Sequence, residues 1–183
     1  MTSTSTTFSR ADPISTTSTS APTEDTSAGA NLDPVAFGVT SPSFDEGESI
    51  PVMHTCDGAD TSPELDILGI PAGTESLVLI VDDPDAPLGT WYHWVEFDIL
   101  AEPGALDIPA GAGVIGVQSV NSWNLPGYRG PCPPQGEEHR YFFKVFALSH
   151  TLDLPEGTDP EVLQVAMESR IIDSVELVGT YAR

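Results

Sequence analysis

Lysine is almost missing from this chain. Lys144 stands alone, and lysine plus arginine number 6 against 28 aspartates and glutamates. A formal charge of −22 leaves no basic patch for phosphate-backbone contacts, so nucleic acid is not an expected partner. Docking on an anionic membrane surface is disfavoured on the same ground. No apolar run reaches membrane-spanning length, so stable membrane insertion is not expected. The N-terminus carries neither an apolar signal segment nor a twin arginine, since Arg10 has no basic neighbour. These absences lead to the expectation of a soluble, cytoplasmic protein. Its acidic, lysine-poor surface matches the style of halophilic proteins, with an acidic mesophilic protein as the alternative.

Cysteine is scarce too. Cys56 and Cys132 are too few for a disulfide scaffold. Reduced thiols are the default for a cytosolic chain, and a disulfide between the two also stands open. Catalytic signatures are missing. There is no G-x-S-x-G elbow, no S-x-x-K before Lys144 and no P-loop. Cys132 and His139 could form a thiolate pair, but the prolines flanking Cys132 favour a loop role. Asp83, His93 and His139 have the ligand types for zinc without a recognised spacing. A binding protein without cofactor or metal is expected, not an enzyme.

What is abundant is proline, 17, and glycine, 16, in 183 residues. That composition suits one turn-rich, mostly β domain. Residues 1–32 are Ser/Thr-rich with few large apolar side chains, and read as a disordered tail. The domain is expected over 33–183. Strands are expected at Ala36 to Thr40, Ile50 to His54, Leu65 to Leu68, Leu77 to Val81, Trp91 to Asp98, Val114 to Val117, Arg140 to Leu148 and Val175 to Tyr181. Leu100 to Gly113 reads as a loop. Thr158 to Ser169 reads as the one helix, capped by Asp159 or Thr158 with Pro160 in its first turn.

Two stretches carry chemistry. In VDDPDAPLGTWYHWV, an apolar strand ends in Asp82, Asp83, Pro84, Asp85, Ala86 and Pro87 before an aromatic strand containing His93. Prolines stiffen this corner, and Pro87 is a candidate cis residue. In GYRGPCPPQGEEHRYFFKVFAL, a loop with Gly130, Pro131, Cys132, Pro133 and Pro134 delivers His139 and Tyr141 to a strand. Strict alternation would put His93 with Trp91 and Val95, and His139 with Tyr141 and Phe143. Trp123 and Tyr128 are candidates for the pocket mouth. Alone, the first stretch reads equally well as a solvated turn, and Asp83 with His93 as a structural pair. Together the two suggest a small polar pocket walled by histidines.

DPDAP, His93-Trp94 and GPCPPQG-x-x-HRY together resemble the phosphatidylethanolamine-binding protein family, in its bacterial and archaeal Raf kinase inhibitor-like (YbhB/YbcL-like) branch. Ser41-Pro42-Ser43-Phe44, Cys56-Asp57-Gly58, Thr61-Ser62-Pro63-Glu64-Leu65 and the ending Glu176 to Tyr181 agree. The resemblance implies an antiparallel β-sandwich with a short C-terminal helix and a pocket for phosphoryl head groups and similar small anions. Ligand-binding residues expected on these grounds are Asp83, Asp85, His93, Gly130, Pro131, Pro133, His139 and Tyr141. The family's roles in kinase regulation and serine protease inhibition make a protein kinase or serine protease an expected partner, and a homodimer is expected by the same analogy.

At molar salt the Debye length is about 3 Å, so self-repulsion is felt most at low salt. The melting temperature, followed by circular dichroism, is expected to fall as KCl is lowered from molar to millimolar. A melt indifferent to KCl contradicts the halophilic reading.

Overall fold

The structure, a computed structural model, describes residues 35–183. The tail expected over 1–32 lies outside the described residues. The fold is a mostly β sandwich of two antiparallel sheets. The small sheet orders β1 (Gly38–Thr40), β2 (Leu65–Ile70) and β5 (Gly104–Ile108) as β1-β2-β5. The large sheet orders β6 (Val117–Gln118), β4 (Trp91–Ile99), β3 (Ser76–Asp83), β7 (Glu138–Leu148) and β8 (Ile171–Ala182) as β6-β4-β3-β7-β8.

β3 is central and buried along its whole length, which explains why its sequence is apolar on both faces. Leu77, Leu79 and Val81 face the core between the sheets, with Leu65, Ile67, Tyr141 and Phe143. Val78 and Ile80 face the other way, and Leu163 and Met167 of α1 (Pro160–Met167) cover them. The Asp159 side chain accepts from the Glu161 amide at the helix start, as its cap position predicts.

Three expectations about the backbone are corrected. The segment 50–54 is not a strand: Val52–His54 forms a 3-10 turn, with the His54 amide donating to the Pro51 carbonyl. Ile50 still attaches to the sheet, through its amide to the Thr180 carbonyl at 2.8 Å. The loop expected over 100–113 contains β5, whose five residues pair with β2. Its short Gly-Ala-Leu-Asp-Ile run holds a single β-branched residue, Ile108, a weaker signal than the longer strands carry. Pro87 is not cis; among the described residues no peptide bond is.

The large sheet is locked at its β6 edge by one buried carboxylate. Glu96 Oε1 accepts from Trp94 Nε1 and Gln118 Nε2, and Oε2 accepts from the Ile115 and Gly116 amides. Either orientation of a carboxamide here turns an NH2 group toward two donors. Glu96→Gln is therefore expected to destabilise the fold by about 2–4 kcal/mol, measured by urea unfolding.

Candidate functional site

Because β3 is central, its end at Asp83 lies between β4 and β7. Neighbouring acids there point opposite ways. Asp82 takes two contacts from Lys144 Nζ, at 2.9 and 2.6 Å. Asp83 Oδ1 accepts the Asp85 amide at 2.8 Å, which shapes the turn, and Oδ2 accepts from His139 Nδ1 at 2.7 Å. On the other side of the imidazole, Nε2 is 3.2 Å from Glu137 Oε2. Carboxylates only accept, so both contacts are satisfied only when both ring nitrogens carry protons. Burial works against that charge, yet the bonds to Asp83 and Glu137 outweigh it and raise the His139 pKa.

His93 sits at a β-bulge. Val81 pairs with Trp94 and Asp82 with Tyr92, so His93 is the extra residue on β4. The bulge overturns strict alternation. His93 shares the cavity with Trp91, but Trp94 joins the core between the sheets and Val95 faces the helix. Arg129 holds the bulge through two backbone groups. Its amide donates to the His93 carbonyl at 3.0 Å, and its carbonyl accepts from His93 Nδ1 at 2.7 Å. Nε2 is therefore the lone-pair nitrogen of the neutral ring. It is buried without a partner. Burial lowers the His93 pKa against the opposing Arg129 carbonyl. The site thus biases its two imidazoles in opposite directions, His139 toward the charged form and His93 toward the neutral one.

Tyr141 lies on the same face of β7 as His139. Its ring meets His93 edge-on at 5.2 Å, and its hydroxyl is buried without a partner. Burial raises the phenol pKa.

These groups adjoin a cavity of about 470 Å³ lined by Asp83, His93, His139, Trp91, Trp123 and Pro133. The other expected residues fall outside it. Asp85 points away, accepting from the Arg140 amide and from its Nε and Nη2 at 2.7 to 3.0 Å. The Arg140 hydrogen bond holds its carboxyl down at about 2. The amide of Gly130, expected among the ligand-binding residues, is taken by Asp60 Oδ1 at 2.6 Å. A Cβ on Gly130 would lie 2.2 Å from the His54 carbonyl oxygen, so the residue serves close packing. The Pro131 carbonyl accepts the Cys56 amide. Trp123 lines the cavity, while Tyr128 turns inward and donates to the His54 carbonyl at 2.6 Å.

The two cysteines are joined as a disulfide, with Cα atoms 5.5 Å apart. It fastens the 3-10 turn region to the cavity wall at Cys132. Among the described residues, no three His, Cys, Asp or Glu side chains are placed to hold a metal ion.

Arg183 and Glu137 escaped the sequence reading. Arg183 lines the cavity because β7 and β8 pair Glu138 with Ala182. Asp57 receives its Nε at 3.1 Å. No local motif marks Arg183, whereas Glu137 could have been found by stepping two residues back from His139 to the loop just before the strand.

The profile described as "Phosphatidylethanolamine-binding protein" matches residues 40–182. A UPF0098 protein of Aquifex aeolicus is 47% identical over 150 residues, covering 79% of this chain and 88% of the relative. One from Pyrococcus abyssi is 46% identical over 149 residues, covering 76% and 82%. Two crystal structures share the fold. A putative phosphatidylethanolamine-binding protein homologue from Chlamydia trachomatis has TM-score 0.75 and 38% identity, covering 81% of this chain and 98% of its own. E. coli YbcL, described as a new member of the mammalian PEBP family, has TM-score 0.73 and 32% identity, covering 80% and 98%. The chain belongs to the phosphatidylethanolamine-binding protein family.

The two histidines should titrate on opposite sides of the ordinary value near 6.5. NMR of the imidazole protons is expected to show His139 above it and His93 below it. Stability from His139 is full below the unfolded value and is lost as pH rises through its folded pKa. Stability from His93 is full above the unfolded value and is lost as pH falls through its lower folded pKa. Coincident titrations near 6.5 contradict this assignment.

Proposed function

We propose that the protein binds small anions or phospholipid head groups in this cavity, and that binding serves regulation in the manner of a kinase inhibitor rather than turnover. The observation that carries this reading is the partnerless His93 Nε2, buried at a cavity that His139 also lines. Buried polar groups are normally satisfied, and a ligand would do so here. As imidazolium, His93 would give an anion a charge-assisted donor at Nε2. The apolar walls at Trp91 and Trp123 suit a ligand with carbon beyond its charged group.

A role without catalysis is part of the proposal. No serine, threonine or free thiol lines the cavity, and Cys132 is held in the disulfide. The proposed partners include no nucleic acid, on the ground of the acidic charge, and no stable membrane insertion, on the ground that no apolar run reaches spanning length. Among the described residues no helix is long and apolar enough to cross a membrane. A homodimer, a halophilic origin and a cytoplasmic location belong to the same proposal. The disulfide bears against the last, since such bonds are rare in reducing cytosol outside hyperthermophiles.

A second reading, serine protease inhibition, is favoured by one feature. Leu88 is 94% exposed on the loop after Pro87, where a chymotrypsin-like protease could take a large apolar side chain.

The test is a thermal-shift titration in molar KCl with inorganic phosphate, phosphoethanolamine and a short-chain phosphatidylethanolamine. A saturable shift is expected, weakening as pH rises and His93 loses its Nε2 proton. In the His93→Ala/His139→Ala protein, loss of two charge-assisted bonds is expected to weaken binding about 100-fold or more. Unchanged binding in that variant would sink the assignment. No shift in either protein, with inhibition of chymotrypsin, would favour the second reading.

A further inference from the structure

The two carboxylates on His139 are held very differently. Asp83 is buried, and its second oxygen is fixed by the Asp85 amide. Glu137 has a side chain that is 55% exposed, against 4% for the imidazole it touches. Its backbone is pinned, the amide to the Pro134 carbonyl and the carbonyl to the Arg183 amide. Its carboxylate has no other hydrogen bond among the described residues. The side chain can swing off His139 by rotamer change alone, without moving the loop.

The donors of the pocket are correspondingly committed. His139 Nδ1 is given to Asp83 and Nε2 to Glu137. A protonated imidazole has two donors and no third. An anion arriving at His139 therefore finds no free N–H unless Glu137 leaves. Asp83 is not the exchangeable partner, because removing it would strand a buried charge.

We infer that Glu137 is an internal occupant of the anion pocket: its carboxylate sits on the His139 donor that a ligand anion needs, so binding exchanges one anion for another. The inference rests on the anion-binding reading above and adds to it the residue that sets affinity and ligand charge. A ligand with one carboxylate only replaces what Glu137 already supplies. A ligand with several acceptor oxygens can displace Glu137 and also reach a second group on the wall, such as His93 or the Arg183 guanidinium. The favoured class is thus a phosphate monoester or another polydentate oxyanion, over a simple carboxylate. Exposed ion pairs are weak, so Glu137 restrains the site without closing it.

The test uses the full chain and calorimetric titration at one fixed KCl concentration. Probes are inorganic phosphate and acetate, against the unaltered protein, Glu137→Gln and Glu137→Ala. Glu137→Gln keeps the size of the side chain but removes the competing charge. It is expected to bind phosphate about three- to tenfold more tightly. Glu137→Ala is expected to bind acetate measurably better than the unaltered protein, as acetate refills the vacated place. In both variants the His139 pKa, followed by NMR, should fall, which shows that the contact exists in solution. Equal or weaker phosphate binding by Glu137→Gln overturns the inference while leaving the anion site standing. Phosphate binding by none of the three proteins overturns both.

Discussion

The bond between Asp83 and His139 is the constraint on which the rest of the site depends. It joins the last residue of β3 to the second residue of β7, at the rim where the two strands cease to pair. Both partners are almost fully buried. A carboxylate in that position must be matched, because desolvating it alone costs far more than a hydrogen bond returns. The match fixes the imidazole's orientation and favours its protonated form. The same carboxylate organises the turn through the Asp85 amide, so the acidic corner and the histidine are set by one group.

A second constraint makes the two histidines unlike. The bulge on β4 adds one residue at the position where a flat ladder would have placed His93 in register. The extra residue lets His93 and Trp94 both serve the inner side of the sheet, one facing the cavity and one the core. The Arg129 carbonyl then fixes the Nδ1 tautomer and leaves Nε2 as the open atom. Neither a carboxylate nor a cation hydrogen-bonds His93, so burial dominates and favours the neutral ring. Two chemically identical side chains are thus biased toward opposite charge states by whether their partner is an acid or a peptide carbonyl.

Much of this was legible in the chain. The strands carrying Asp83, His93 and His139 are long, apolar or aromatic, and flanked by proline and glycine, so their existence and rough ends follow from periodicity. The central place of β3 follows from its apolar residues on both faces. What could not be read is whatever depends on register. Alternation fails at one inserted residue, and no composition rule announces where a ladder will bulge. Asp85 and Gly130 look like pocket groups in sequence because they sit beside pocket groups. The structure spends Asp85 on Arg140 and the Gly130 amide on Asp60, partners 55 and 70 residues away. Arg183 reaches the cavity only because β8 pairs with β7, and the disulfide likewise joins loops 76 residues apart. Long-range neighbours are the part of a β fold that local pattern leaves open.

The charge of the molecule bears on how such a site can work. Four of its six basic residues, Arg129, Arg140, Lys144 and Arg183, lie in pairs with Asp60, Asp85, Asp82 and Asp57. Little positive potential is left to project into solvent, and the field of the remaining acids repels anions at range. Attraction to the proposed anion would therefore have to arise at contact, from imidazole N–H groups and the guanidinium edge. Contact hydrogen bonds survive salt far better than a long-range field, because screening acts on separations beyond the Debye length of about 3 Å at molar salt. High salt would remove the repulsion and leave the donors intact. An acidic surface and the proposed anion pocket are then compatible, provided recognition is carried by geometry at the cavity floor and not by steering from a distance.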